Sequence, residues 1–471
     1  MTIEAVGWPT DLHVTQVDTI EVRVRLFNSS QQITGLRLRW LSSNDNLLRV
    51  VPLQPNTGEG LKDTLLAQLR AEVTGQSGGF DTVRVLVERG GGFEPAAAAF
   101  PIRVTQKWIA VSAGLTHTCG VTVDKMAYCW GDGADGRLGG GRPVGSLVPV
   151  RVFATDNIRF DAVSAGSRSS CGVTTVGLSY CWGAGSEGRL GNGDLADRNQ
   201  MVPVRVIGST FQDVRVGRVA CGIADDSSAQ CWGGNPDGQL GLNPLSPNIG
   251  SCSGISCNRI PTSVDTNGTR PKRYAAISVG GHHVCALTRR PQSDLAFCWG
   301  VRGALGNAAD TTSPMPIQVT SNEAFTLISA GGNHTCALSR SNLVYCWGVN
   351  TDGQLGNGTE VDTVTPVQVT GGPFVSVTTG GNHTCALNAI GETFCWGRGS
   401  SGQLGNGFTG RQLLPVRIDN LKFEAISAGD VHTCGIEVGG SLYCWGAGSA
   451  GRLGTGSTND KTIPTRVSEP E

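Results

Sequence analysis

Hydrophobic and polar residues alternate along short stretches of this chain, and polar or glycine-bearing turns separate the stretches. Ile20-Glu21-Val22-Arg23-Val24-Arg25-Leu26 puts apolar side chains on one face and charged ones on the other, the pattern of a half-buried strand. Leu36 to Leu41, Leu65 to Val73 and Thr82 to Val87 read the same way, with Gly75 to Gly79 as a turn. About 95 residues of this texture predict a small β-sandwich over residues 1–104. Trp8 is expected in its core or at a linker contact, and Gly90 to Ala96 is either a long loop or the approach to the boundary.

From about residue 105 a repeat takes over. Cys-Trp-Gly recurs seven times, from Cys129, Cys181, Cys231, Cys298, Cys346, Cys395 and Cys444, at intervals of 52, 50, 67, 48, 49 and 49 residues. Within one repeat, Ala330 to Leu338 is predicted as a strand, followed by a turn and a second strand, Leu343 to Trp347. The loop Asp352-Gly353-Gln354-Leu355-Gly356-Asn357-Gly358 leads into a last strand, Thr365 to Val369. A period near 50 with strand-like content predicts a propeller, in which each small sheet buries its faces only against its neighbours. The expected fold is therefore all-β, a β-sandwich followed by a seven-bladed β-propeller over residues 105–471.

Composition narrows the function. Glycine is abundant (68 of 471), charged residues make up 16%, and the formal net charge is −1. Without a basic excess there is little to neutralise phosphates, so nucleic acid is not an expected partner. No apolar run approaches the roughly 20 residues that cross a bilayer. Met1 to Asp11 lacks a basic region followed by an apolar stretch, so no signal peptide is visible there. The cysteines nevertheless imply export, so Met1 is expected not to be the natural start.

Each Cys-Trp-Gly cysteine has an upstream companion: Cys119, Cys171, Cys221, Cys285, Cys336, Cys385 and Cys434. The gap is ten residues in six repeats and thirteen in the fourth, where Arg289 to Gln292 extend the turn. Two cysteines flanking a hairpin turn can face each other at disulfide distance. Paired occurrence in every repeat and an even total of sixteen predict oxidation, hence an extracellular, cell-surface or periplasmic chain. The competing reading is cysteine filling small buried positions in a reducing cytosol. Zinc is not expected, because its sites need close cysteine pairs and each repeat supplies two cysteines ten apart. Cys252 and Cys257 lie in the insertion that lengthens the third interval. That segment, with Pro244, Pro247, Ile249, Ile255 and Arg259, is either a binding loop ordered in advance by its own clip or a tolerated surface insertion.

The repeated elements Ala-Gly-x-x-His-Thr, Ala-Leu, Trp-Gly and Gly-Gln-Leu-Gly-x-Gly resemble the regulator-of-chromosome-condensation family of seven-bladed propellers, over roughly residues 105–471. That resemblance implies guanine-nucleotide exchange on a small GTPase with chromatin binding. The paired cysteines depart from the family's usual hydroxyl or apolar residues and oppose that function. Leu38 to Asp45, and Ala71 to Gly75 leading into Asp81 to Val85, resemble bacterial immunoglobulin-like domains.

Five histidines stand two residues before the first cysteine of a pair: His117, His283, His334, His383 and His432. Equivalent positions are spread around a ring of blades and do not converge as metal ligands, so each is expected to make a structural hydrogen bond to a neighbouring turn. His282 is expected at the surface. Loops such as Asp237-Gly238-Gln239-Leu240-Gly241 suggest calcium, but the acidic position becomes Ser401 and Ala450 elsewhere, so they read as turns with a buried leucine. No nucleophile elbow, phosphate loop or His-Glu-x-x-His motif occurs. The expectation is a non-enzymatic exported binding module without cofactor or metal, presenting loop faces to a protein or glycan. The alternatives are a fibre or surface-layer subunit self-associating through the N-terminal domain, and an exchange factor.

Overall fold

In the computed structural model the chain divides into two compact units, Met1–Lys107 and Trp108–Glu469. The structure describes the backbone of seven strands within residues 11–105, and residues 106–470 apart from 154–157, 246–248, 253, 265–272 and 289–294. Trp8, Pro247 and the extended turn at 289–292 lie outside the described residues.

The N-terminal strands form two sheets. One is four-stranded, with Asp11–His13 beside Gly92–Thr105, then Phe80–Arg89 and Leu36–Ser42. The other has Val17–Arg25, Thr64–Val73 and Leu48–Pro52. The stretch Gly90 to Ala96, expected as loop or boundary, belongs from Gly92 onward to a 14-residue strand paired antiparallel with Phe80–Arg89.

The second unit is a ring of seven blades, each an antiparallel sheet built from consecutive strands. Blade 5 is representative: Phe325–Ala330, His334–Ser339, Val344–Gly348 and Thr363–Gln368. The sequence reading merged the first two of these. Ala330 to Leu338 is not one strand, because the chain turns at Gly331–Asn333 and the Gly331 amide bonds the His334 carbonyl at 2.9 Å. In six blades the outermost strand carries a proline, such as Pro366 in blade 5 and Pro415 in blade 6, whereas the outermost strand of blade 3, Gly250–Cys252, has none. A missing N–H at the proline blunts the outer edge of the sheet.

The core lies between blades rather than within them. Leu287, Ala296 and Leu305 of blade 4 pack with Phe325, Ile328 and Trp347 of blade 5, and the other junctions repeat the arrangement. All seven Cys-Trp-Gly tryptophans are fully buried. Blades 1 and 7 each complete their own sheet and share no strand, so the ring closes by the same packing, Trp108 and Trp130 meeting Ile436, Leu442 and Leu453.

At the axis, each first strand ends at a glycine: Gly114, Gly166, Gly217, Gly280, Gly331, Gly380 and Gly429. These form a collar with no room for a side chain. A Cβ on Gly331 would lie 2.5 Å from the Gly380 carbonyl oxygen and 3.0 Å from the Thr379 Cβ, both in the next blade. Gly331→Ala is expected to cost on the order of 2–3 kcal/mol by overpacking. Gly410→Ala, where an added Cβ meets nothing within 4 Å, is the control. Equal denaturant midpoints for the two variants would show that the collar spreads freely.

Candidate functional site

The collar is tied by a belt of backbone hydrogen bonds running from blade to blade. Leu115 N donates to Gly166 O, Ser167 N to Gly217 O, and Gly281 N to Gly331 O, at 2.9–3.1 Å. Gly332, Gly381 and Asp430 continue it, the last closing onto Gly114 O at 3.1 Å.

Beneath the belt, each histidine of the repeat reaches into the next blade. His334 Nε2 lies 2.9 Å from Thr384 Oγ1, and His432 Nε2 lies 2.8 Å from Thr118 Oγ1, which bridges blade 7 to blade 1. The threonine hydroxyl itself donates to a loop carbonyl, Thr384 to Gln354 O at 2.8 Å. The hydroxyl's proton is thus committed, so Nε2–H is the donor and Nδ1 carries the lone pair. Nδ1 is buried without a partner in all five histidines. Trp396 Nε1 donates to the same Gln354 carbonyl at 2.9 Å. The expected bond to a neighbouring turn is therefore relayed through a hydroxyl of the next blade. Burial, first of all, holds His117 and His334 down to about 3 and His283 and His383 down to about 4. These imidazoles are neutral struts.

The blade 3–4 junction differs. Blade 3 has one residue fewer in its axial turn, with Val219 in place of histidine. Among the described residues this junction lacks both the belt bond and the histidine bridge. It is tied instead farther from the axis, by Trp299 Nε1 donating to Gln239 O and Tyr274 N to Ser227 O, both at 2.8 Å, and at the rim by His282 with Asp237 and Arg218.

The collar opens into an axial funnel of about 510 Å³. Its lining includes Arg168, Arg218, His282, Asn333 and Asp430, all from the axial turns. The loops once suggestive of calcium support this rim, each reaching the next blade. Asp135 accepts from Arg168 at 2.9 Å, Asp237 pairs with His282 at 3.2 Å, and Asp352 accepts from Asn382 at 3.1 Å. Burial works to raise the Asp135 carboxyl, but hydrogen bonds from Arg168 and then Arg137 outweigh it and hold it below its ordinary value. Among the described residues no group of three or more His, Cys, Asp or Glu is placed to hold a metal, and no helix is long and apolar enough to cross a membrane. His282 is partly exposed, as expected, yet its ring also lies 3.2 Å from an Arg218 Nη1.

All sixteen cysteines are paired. Seven disulfides join directly opposed residues of one hairpin, such as Cys336 and Cys346 with Cα atoms 4.1 Å apart, and the eighth is Cys252–Cys257. The insertion adds a strand, Gly250–Cys252, to blade 3. Of its candidate binding residues, Pro244 and Ile255 are exposed, Ile249 packs partly against the core, and Arg259 is engaged internally. Arg259 makes a two-pronged ion pair with Asp197 of the preceding blade, both bonds at 2.9 Å. The rim residues were missed from sequence, although they are the positions that vary inside a Gly-x-x-His turn kept in five of the seven blades.

Comparison with known proteins places this architecture. The family model for the RCC1-like domain matches residues 221–471, and those for the regulator of chromosome condensation (RCC1) repeat match residues 108–137, 126–173 and 177–223. The ultraviolet-B receptor UVR8 of Arabidopsis thaliana is 30% identical over 280 residues, 58% of this chain and 59% of that protein. The human E3 ubiquitin-protein ligase HERC2 is 28% identical over 270 residues, 56% of this chain but 5% of that protein. The chain thus spans less than two thirds of these relatives. The human regulator of chromosome condensation is 28% identical over 57% of this chain and 66% of its own. Among solved structures, Prp20p of Saccharomyces cerevisiae superposes with a TM-score of 0.62 at 19% identity, covering 77% of this chain and 87% of its own, which shows the fold. With one family model spanning more than half of its length and the repeat models covering blades 1 and 2, the chain belongs to the RCC1-like β-propeller family.

Proposed function

We propose that this propeller is a non-enzymatic protein-interaction module of an extracellular, cell-surface or periplasmic compartment, with its axial face as the contact surface. The observation that carries the reading is the division of labour within each axial turn. Glycine, histidine and the loop leucine repeat and hold the ring, while the rim position runs through Arg168, Arg218, His282, Asn333 and Asn382. Yeast Prp20p, which shares this fold, binds Gsp1p and histones, and a rigid frame carrying varied polar groups suits contact with a protein. The pairing of every cysteine supports the compartment. The N-terminal sheets fit an immunoglobulin-like sandwich acting as a spacer, and Pro244 and Ile255 offer a second contact at the blade 3 insertion.

The test is capture from the surface fraction of the source cells, by wild type and by an Arg168→Ala/Arg218→Ala/Asn382→Ala variant. A discrete protein retained by wild type and lost by the variant is expected. Equal capture by both removes the axial face from the proposal, and capture of glycan alone replaces the partner class. A higher-order assembly of the isolated chain in light scattering would favour the fibre reading instead.

Nucleotide exchange is the second reading. It rests on similarity to the regulator of chromosome condensation and on the fold shared with Prp20p, which binds Gsp1p and histones. Free thiols in the chain recovered from its natural host would turn the balance toward it.

A further inference from the structure

Two charges in the funnel lack an opposite charge. Arg168 is neutralised by Asp135 and Arg189 by Glu187, both at 2.9 Å. Arg218, by contrast, has only the His282 ring as a partner among the described residues. The Asp430 carboxylate accepts no hydrogen bond and forms no ion pair among them either. Burial raises its carboxyl above the ordinary value, and Arg452 and Arg398 pull the other way only from a distance.

Arg218 belongs to blade 3 and Asp430 to blade 7, so they stand on opposite sides of the seven-bladed ring. The three blades between them present doubled glycines to the funnel: Gly280-Gly281, Gly331-Gly332 and Gly380-Gly381. Along that arc the glycine pairs alternate with the His282 and Asn333 side chains, which also line the funnel. The second glycine of blade 6 is also what admits the carboxylate, since a Cβ on Gly381 would collide with Asp430 Oδ1. A concave site of about 510 Å³ with a few convergent polar groups falls in the range of small-molecule pockets. Asp430 is only partly exposed, and a partly desolvated carboxylate left unpaired is costly unless a ligand completes it; Arg218 is exposed on the far side of the ring.

We propose that the funnel binds a small zwitterion of the amino-acid or short-peptide class, its carboxylate on Arg218 and its ammonium on Asp430, with the ligand body along the glycine arc. The guanidinium offers a planar fork suited to a carboxylate. This inference goes beyond the protein-contact reading and does not require a protein partner.

Calorimetric titration of the full chain with glycine, diglycine, triglycine and tetraglycine tests it. Binding is expected to peak at one length, which distinguishes a free amino acid from a peptide. N-acetylation or C-amidation of that peptide is each expected to weaken binding about tenfold or more. Asp430→Asn is expected to abolish the effect of acetylation alone, and Arg218→Met that of amidation alone, with the unfolding midpoint of each variant showing an intact ring. Capped and uncapped peptides binding equally, or the whole ladder failing to bind, overturns the proposal. A ladder that fails while surface capture persists overturns this inference and leaves the protein-contact reading standing.

Discussion

Lowering the pH from 7 to 5 is expected to cost the propeller several kcal/mol of stability, and the loss should follow the charging of five buried histidines. Burial first, with nearby arginines and histidines adding at some sites, holds the folded values at about 3 for His117 and His334 and about 4 for His283 and His383. His432 is likewise pushed well below its ordinary value. In the unfolded chain these imidazoles titrate near 6.5. Between those limits the unfolded state binds more protons, so stability rises with pH there. The contribution is present in full above about 6.5, erodes as the pH falls, and is exhausted below the folded values. Each histidine costs about 1.4 kcal/mol per pH unit in that window, roughly 2 kcal/mol at pH 5. Five acting independently would cost about 10 kcal/mol, comparable to the whole stability of an ordinary domain.

The structural cause is the unpartnered Nδ1. Protonation would put an N–H there with no acceptor, inside the bridge that joins one blade to the next. The carboxylates held below their ordinary value, such as Asp135 and Asp226, lose their contribution only at lower pH, and Asp430, raised by burial, would act with the opposite sign, so a loss between pH 6.5 and 5 reports the histidines. Denaturant titrations at pH 7, 6 and 5 check this, and His383→Gln should flatten the dependence by about one proton's worth. Stability unchanged between pH 7 and 5 would refute it.

How much of this was legible in the sequence depends on whether the cause was local. The repeat period, the buried Leu355 and its equivalents, and the opposed cysteines all follow from spacing, because a hairpin turn dictates its own register. The turn at Gly331–Asn333 did not, because its cause lies in the next blade. Gly331 is glycine on account of the Gly380 carbonyl, and nothing within the repeat says so. The histidine bridge is hidden for the same reason, since Thr384 is 50 residues from His334 and its role depends on how blades abut. Arg259, a candidate binding residue of the insertion, is the partner of Asp197, 62 residues earlier. The rim was legible in principle. Aligning the seven axial turns against one another separates constant glycine and histidine from the varying position, and Arg218 and Asp430 stand out as the charges that no repeat rule demands.

Reducing the disulfides is expected to abolish the native ring at 37 °C, an effect as large as that of acid but with an opposite structural origin. Acid disturbs the folded state, whereas reduction releases the unfolded one. Six of the seven blade disulfides span ten residues and the other thirteen. The chain-entropy relation gives about 2.7 kcal/mol for such a loop, so seven together approach roughly 19 kcal/mol if additive. That exceeds the net stability of about 5–15 kcal/mol typical of a folded domain. The native contacts themselves would scarcely change, because a buried thiol packs as a small hydrophobe and every one of these sulfurs lies in the inter-blade core. Two consequences separate this account from a loss of packing. Reductant added to the native protein should act slowly, since each sulfur is inaccessible until a blade opens, while protein denatured in reductant should fail to refold until oxidised. Cys385→Ala/Cys395→Ala should lower stability by about 2–3 kcal/mol at pH 7, with the pH dependence between 7 and 5 unchanged, because no bridging histidine is lost. A fully reduced chain that refolds and unfolds at the oxidised midpoint would refute the stapled-ring account, and with it the argument from these cysteines to an oxidising compartment.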